Sequence, residues 1–171
     1  LIIKDDGSLW GTGRNTNGQL GLGATGFFLL PQMVVPSGVI FAEGGGSHSL
    51  FVKDDGSLWG MGLNQYGALG NGTTGQNDSP IMIVASGVVK ASAGFRHSLF
   101  TKTDGSLWSM GFNAYGQLGD GTKVNRLTPV QVMPDRVLAF SAGGGVSLFV
   151  RAPEVLTLGA VEVAAAQSVD C

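Results

Sequence analysis

The pentapeptide Asp-Gly-Ser-Leu-Trp stands at Asp6–Trp10, Asp55–Trp59 and Asp104–Trp108, 49 residues apart both times. Asn-x-x-Gly-x-Leu-Gly follows each copy at the same step, at Asn15–Gly21, Asn64–Gly70 and Asn113–Gly119. Pro31, Pro80 and Pro129 keep the period, as do Val39, Val88 and Val137. His48-Ser49-Leu50-Phe51 returns as His97–Phe100, then as Val146-Ser147-Leu148-Phe149 with the histidine replaced. A period in the 20–50 residue range makes each repeat one supersecondary unit, which buries its apolar face only against its neighbours.

The composition excludes a helical unit. Glycine accounts for 29 of the 171 residues; each glycine inside a helix costs roughly 1 kcal/mol relative to alanine, and only the alanine-rich stretch 161–169 escapes them. Ser98–Lys102 and Ser106–Met110 are short β-prone runs around Thr103-Asp104-Gly105, a hairpin signal. Ile81–Ala85 and Val88–Ala93 read as two further strands separated by Ser86-Gly87. Four strands per repeat is the content of one propeller blade. The fold class is therefore all-β, a partial β-propeller of three to four four-stranded blades. The repeats run roughly over 1–43, 44–92, 93–141 and a degenerate 142–160, with a tail at 161–171. The three tryptophans are expected between neighbouring blades.

Gly-x-x-His-Ser-Leu, Asp-Gly-Ser-Leu-Trp and Asn-x-x-Gly-x-Leu-Gly-x-Gly-Thr, in that order, resemble the regulator of chromosome condensation repeat over roughly residues 2–150. The resemblance implies blades of a seven-bladed propeller. A closed ring of this period needs about 343 residues, so the chain, opening on Leu1, is expected to be a piece of a longer protein. Positions 153–157 read Pro-Glu-Val-Leu-Thr where the period calls for the pentapeptide, although Val155–Gly159 is still able to pair with Ser147–Arg151. Uncovered end blades lead to an expectation of self-association or of docking with missing blades.

Charge and motif context narrow the chemistry. The formal net charge is −2 and the ten Lys+Arg are scattered singly, which leaves no basic stripe for nucleic acid. No apolar run reaches the ~18 residues of a spanning helix, so no membrane contact is expected. Gly21–Gly26 and Gly70–Gly75 match Gly-x-Gly-x-x-Gly, but proline and β-prone residues follow instead of the helix that a dinucleotide site needs. His48 and His97 lie one repeat apart with no ligand-spaced carboxylate or cysteine. They read as structural residues at the start of an inner strand, donating to a backbone carbonyl. The Asp-Gly pairs read as turns rather than calcium loops. Asn71 and Asn77 fit the glycosylation pattern, the first inside the recurring turn. No catalytic residue, metal or cofactor is implied.

The resemblance implies partner binding, since a propeller fold by itself hosts many functions. Members of the resembled family place aromatic residues on the loop before the repeat histidine, facing a partner. The corresponding pairs here are Gly46-Ser47, Phe95-Arg96 and Gly144-Gly145, and only Phe95-Arg96 offers hot-spot chemistry. Asn64-Gln65-Tyr66 and Asn113-Ala114-Tyr115 are expected to form a second polar and aromatic rim on the opposite loops. The chain reads as a protein-binding scaffold, not an enzyme, with Phe95, Arg96, Tyr66 and Tyr115 as candidate contacts. The alternatives are an accessory propeller of a multidomain enzyme, a regulator of the guanine nucleotide exchange type, and a nonfunctional fragment.

Overall fold

The computed structural model describes residues 1–154; the expected pairing of Val155–Gly159 and the reading of the tail at 161–171 lie outside them. Thirteen strands form four antiparallel sheets among the described residues. The first sheet holds β1 (Ile2–Ile3), β2 (Leu9–Arg14) and β3 (Phe27–Val35). The second is β4 (Val39–Gly44), β5 (His48–Lys53), β6 (Leu58–Gly62) and β7 (Asn77–Val84). The third repeats it with β8 (Val88–Ala93), β9 (His97–Lys102), β10 (Leu107–Gly111) and β11 (Arg126–Met133). The fourth pairs β12 (Val137–Ala142) with β13 (Ser147–Arg151). This is an all-β partial propeller in which each sheet is a simple up-and-down meander.

Neighbouring sheets pack face to face, and that is where the core lies. Leu9 and Val35 of the first blade bury against Val39, Phe51 and Met61 of the second. Leu50, Val52 and Leu58 of the second bury against Val88, Ala91, Phe100 and Met110 of the third. Trp59 and Trp108 pack at the edges of these two clusters, between blades as expected. Trp59 stacks on Phe51 with rings 6.1 Å apart, and Trp108 on Phe100 at 6.2 Å.

β8 touches β4 on one side and β12 on the other, so these strands form the inner wall, while β3, β7 and β11 are outermost. That explains the recurring prolines. Pro31, Pro80 and Pro129 sit in the outermost strands at register shifts, where a missing N–H removes no ladder bond.

Two details differ from the sequence reading. Ile81–Ala85 and Val88–Ala93 correspond to β7 and β8, which belong to adjacent blades, so Ser86-Gly87 is a link between sheets and not a hairpin within one. A 49-residue period has no intrinsic starting point; the complete sheets span 39–84 and 88–133. The histidines also open the second strand from the axis, not the innermost.

The pentapeptide is a hydrogen-bonded unit. Asp55 Oδ1 accepts from the Ser57 amide and hydroxyl, and Trp59 Nε1 donates to Ser57 Oγ at 2.8 Å. The same bonds recur at Asp6. Hydrogen bonds from the serine hold Asp6, Asp55 and Asp104 below the ordinary carboxylate value. These carboxylates are committed to the turn.

Candidate functional site

A four-strand meander places its first and third connections at the same end of the sheet. The loops after β4 and β8, which precede the histidines, therefore share a face with the long loops after β6 and β10. Tyr66 and Tyr115 do not lie opposite Phe95-Arg96; all four residues belong to one loop face.

Each long loop is fastened from inside by its asparagine. Asn64 Oδ1 accepts from the Leu69 amide at 2.9 Å, and its Nδ2 donates to Asn71 Oδ1 and the Thr73 carbonyl. Asn71, one of the two glycosylation-pattern residues, is thus engaged in the loop. Asn113 repeats the arrangement with the Leu118 amide and Asp120. Burial would raise the Asp120 pKa, but bonds from Arg126, Thr122 and Asn113 prevail and hold it at about 2. Strands, not helices, follow both Gly-x-Gly-x-x-Gly segments. The glycines serve loop geometry.

Backbone bonds then tie the loops together. The Leu63 amide donates to Ser47 O, the Phe112 amide to Arg96 O at 3.0 Å, and the Phe95 amide to Gly143 O at 3.1 Å. The Phe95 ring packs against Gly46, leaving no room for a Cβ there. Arg96 lies over two rings, its guanidinium carbon 5.1 Å from the Tyr66 centroid and 5.2 Å from that of Phe95. Tyr66 meets Phe112 at 4.9 Å, and Phe112 meets Tyr115 edge-on at 5.7 Å. The result is a continuous strip, Phe95–Arg96–Tyr66–Phe112–Tyr115. Phe95 is 53% exposed and Tyr115 77% exposed. Phe112 was absent from the sequence candidates; its signal was an aromatic directly before the loop asparagine, where the other repeats have Arg14 and Leu63. Beyond Tyr115 lies a cavity of about 240 Å³ whose lining includes Gln117, Gly145, Val146 and Phe149.

The histidines lie beneath this face and join blades. His48 Nε2 is 2.9 Å from Ser98 Oγ, and Ser98 Oγ donates to the Ala68 carbonyl at 2.7 Å. Because the hydroxyl proton is used on the carbonyl, His48 must donate from Nε2, which fixes its tautomer. His97 reaches Ser147 Oγ at 3.0 Å, and Ser147 donates to Gln117 O. The donation is to a serine of the next blade, which in turn reaches the carbonyl; the direct carbonyl bond expected from sequence is not formed. Burial, with the neighbouring His97, pushes His48 down to about 4. Burial also lowers His97, whose Nδ1 has no hydrogen-bond partner among the described residues, and the nearby Val146 backbone offsets part of that effect. Both histidines are neutral structural groups.

A family model for the regulator of chromosome condensation (RCC1) repeat matches residues 6–52, 55–101 and 104–150, and a second RCC1 repeat model matches 40–68 and 88–117. The chain belongs to the RCC1 repeat family. Solved structures with the same fold include human WBSCR16, at TM-score 0.74 and 21% identity, covering 87% of this chain and 41% of that one. Prp20p from Saccharomyces cerevisiae, in a study of its binding to Gsp1p and histones, aligns at TM-score 0.78 and 19% identity, covering 89% of this chain and 42% of its own. Yeast RCC1 (Prp20) bound to Kap60 aligns at TM-score 0.73 and 23% identity, covering 85% and 38%. This RCC1-repeat chain spans about two-fifths of the solved structures it resembles. No curated protein matches its sequence.

Proposed function

We propose that this RCC1-repeat chain is a protein-binding module whose contact surface is the loop face carrying Phe95, Arg96, Tyr66, Phe112 and Tyr115. One observation carries the reading: an arginine set against the half-buried Tyr66 ring and the exposed Phe95 ring on a sheet scaffold, the residue types in which interface binding energy concentrates. The repeat itself does not require these side chains, since Gly46, Ser47, Gly144 and Gly145 occupy the equivalent positions. Relatives on the same fold are described with protein partners, Prp20p with Gsp1p and histones and yeast RCC1 with Kap60. Binding rather than catalysis fits the groups whose chemistry would suit an active site. His48 and His97 join blades, and the pentapeptide aspartates hold turns.

Cross-linking and affinity capture from the source cell, with the parent chain and its Phe95→Ala/Arg96→Ala variant side by side, tests this reading. The expected result is a partner captured by the parent and lost or reduced at least tenfold in the variant, with thermal unfolding unchanged. Equal capture by both removes the loop face from the binding site.

A further inference from the structure

Arg96 differs from the other four arginines of the chain. Arg126 pairs with Asp120, Arg136 with Asp135 and Glu154, and Arg151 with Asp135, while Arg14 donates to Thr16 Oγ1. Among the described residues the Arg96 side chain makes no hydrogen bond and no ion pair. Its guanidinium carbon lies over the Tyr66 and Phe95 rings, 5.1 and 5.2 Å from their centroids. A guanidinium presents five N–H donors in a rigid planar fork, and stacking on rings uses the faces while leaving the edge donors open. Contact with two rings narrows the rotamers open to the side chain and so lowers the entropy lost when it grips an anion. Its donors are open to a planar, bidentate acceptor.

The surroundings select among acceptors. The strip offers one positive charge, flanked by exposed rings at Phe95 on one side and, through Tyr66 and Phe112, at Tyr115 on the other. A carboxylate matches the fork in geometry and carries a single charge, and the rings match apolar side chains next to it. We infer that this face recognises a peptide segment in which an aspartate or glutamate, set beside aliphatic or aromatic residues, pairs with Arg96. The inference rests on the protein-binding reading above and adds the chemistry of the partner.

The test pans a displayed library of random linear heptapeptides against the full 171-residue chain and against Arg96→Gln, Arg96→Lys and Phe95→Ala variants. All are first shown by thermal unfolding to be as folded as the parent. The selected peptides are expected to carry Asp or Glu next to an apolar residue. Changing that acid to its amide, or Arg96 to Gln, should each weaken binding by about tenfold or more, the scale of a charge-assisted bond. The two changes together should weaken it no further than either alone, and Arg96→Lys should fall between. Selected peptides that lack an acid, or that bind Arg96→Gln unchanged while losing affinity for Phe95→Ala, would overturn the carboxylate and leave the face as a binding site. No selection, or selection indifferent to both residues, would overturn both readings. Displacement by inorganic phosphate at constant ionic strength would show that the fork reads phosphate and overturn the peptide assignment.

Discussion

Gly70 and Gly119 occupy one place in successive repeats and share a left-handed backbone, with φ of +61° and +74°. Their surroundings differ. A Cβ on Gly70 would meet the Met110 sulfur and the Pro129 ring of the next blade, whereas among the described residues nothing lies within 4 Å of one on Gly119. Gly119→Ala should therefore cost only the backbone penalty, about 1–2 kcal/mol. Gly70→Ala should cost roughly 1–3 kcal/mol more, as overpacking at a filled interface. Chemical unfolding of the two variants measures the difference; equal losses would show that the blade contact at Gly70 contributes nothing. Such glycines stand out in the sequence by their period, but which of them face a neighbour is a property of packing between repeats. The same limit hid the geometry of Phe95. Its ring rests on Gly46, one repeat earlier, a contact that no local pattern records.

Between elements, the serine after each histidine position is the joint. Ser98 accepts from His48 and donates to Ala68 O, while Ser49 donates to Gln19 O and has no histidine donor among the described residues. Ser98→Ala should strand two buried polar groups and Ser49→Ala one. The expected losses are about 2–4 and about 1–2 kcal/mol. Denaturant unfolding separates them, and similar losses would mean that the histidine bond is energetically idle. The joint also sets a pH dependence. His48 titrates near 4 in the folded chain and near 6.5 when unfolded, so the unfolded chain binds the extra proton. Stability is full above about pH 6.5 and falls between 6.5 and 4, by up to about 3 kcal/mol. His97 is shifted the same way and adds to the fall. His48→Gln should make the fall shallower in that window and leave the acid limb below it, where Asp6, Asp55 and Asp104 protonate, unchanged. The strands themselves were legible, because alternating β-prone runs and Asp-Gly turns specify a hairpin locally. The sharing of blades was not, because Ser86-Gly87 looks like any two-residue turn until the partner strands are known. The face shared by Tyr66 and Arg96, by contrast, follows from counting connections in a meander, and strand order alone would have revealed it.

For the molecule as a whole, the interior blade contacts show what an RCC1 sheet face requires. Between the second and third blades, residues such as Leu50, Phe100 and Met110 lose all contact with water. At the two ends the corresponding surface is open. Leu148 of β13 is 69% exposed, with Val150 also in solvent, where their counterparts Leu50 and Val52 are buried; at the other end Ile2 of β1 is exposed where its counterpart Phe51 is buried. Apolar area of this kind contributes roughly 25 cal/mol per Å² when covered, and contiguous patches left uncovered drive association. The 171-residue chain expressed alone should therefore associate reversibly at micromolar concentration, with an unfolding temperature that rises with protein concentration as mass action requires. Sedimentation velocity across a hundredfold dilution series checks this. Leu148→Glu on the fourth blade and Ile2→Glu on the first place a charge on each end separately; the end that mediates association is the one whose variant sediments as a monomer. Charge at these positions should leave the loop face intact, so the capture of partners by Phe95 and Arg96 should survive in the monomeric variant. A parent chain that remains monomeric throughout the series would show that the open ends are not adhesive, and would separate the binding face from any role in assembly.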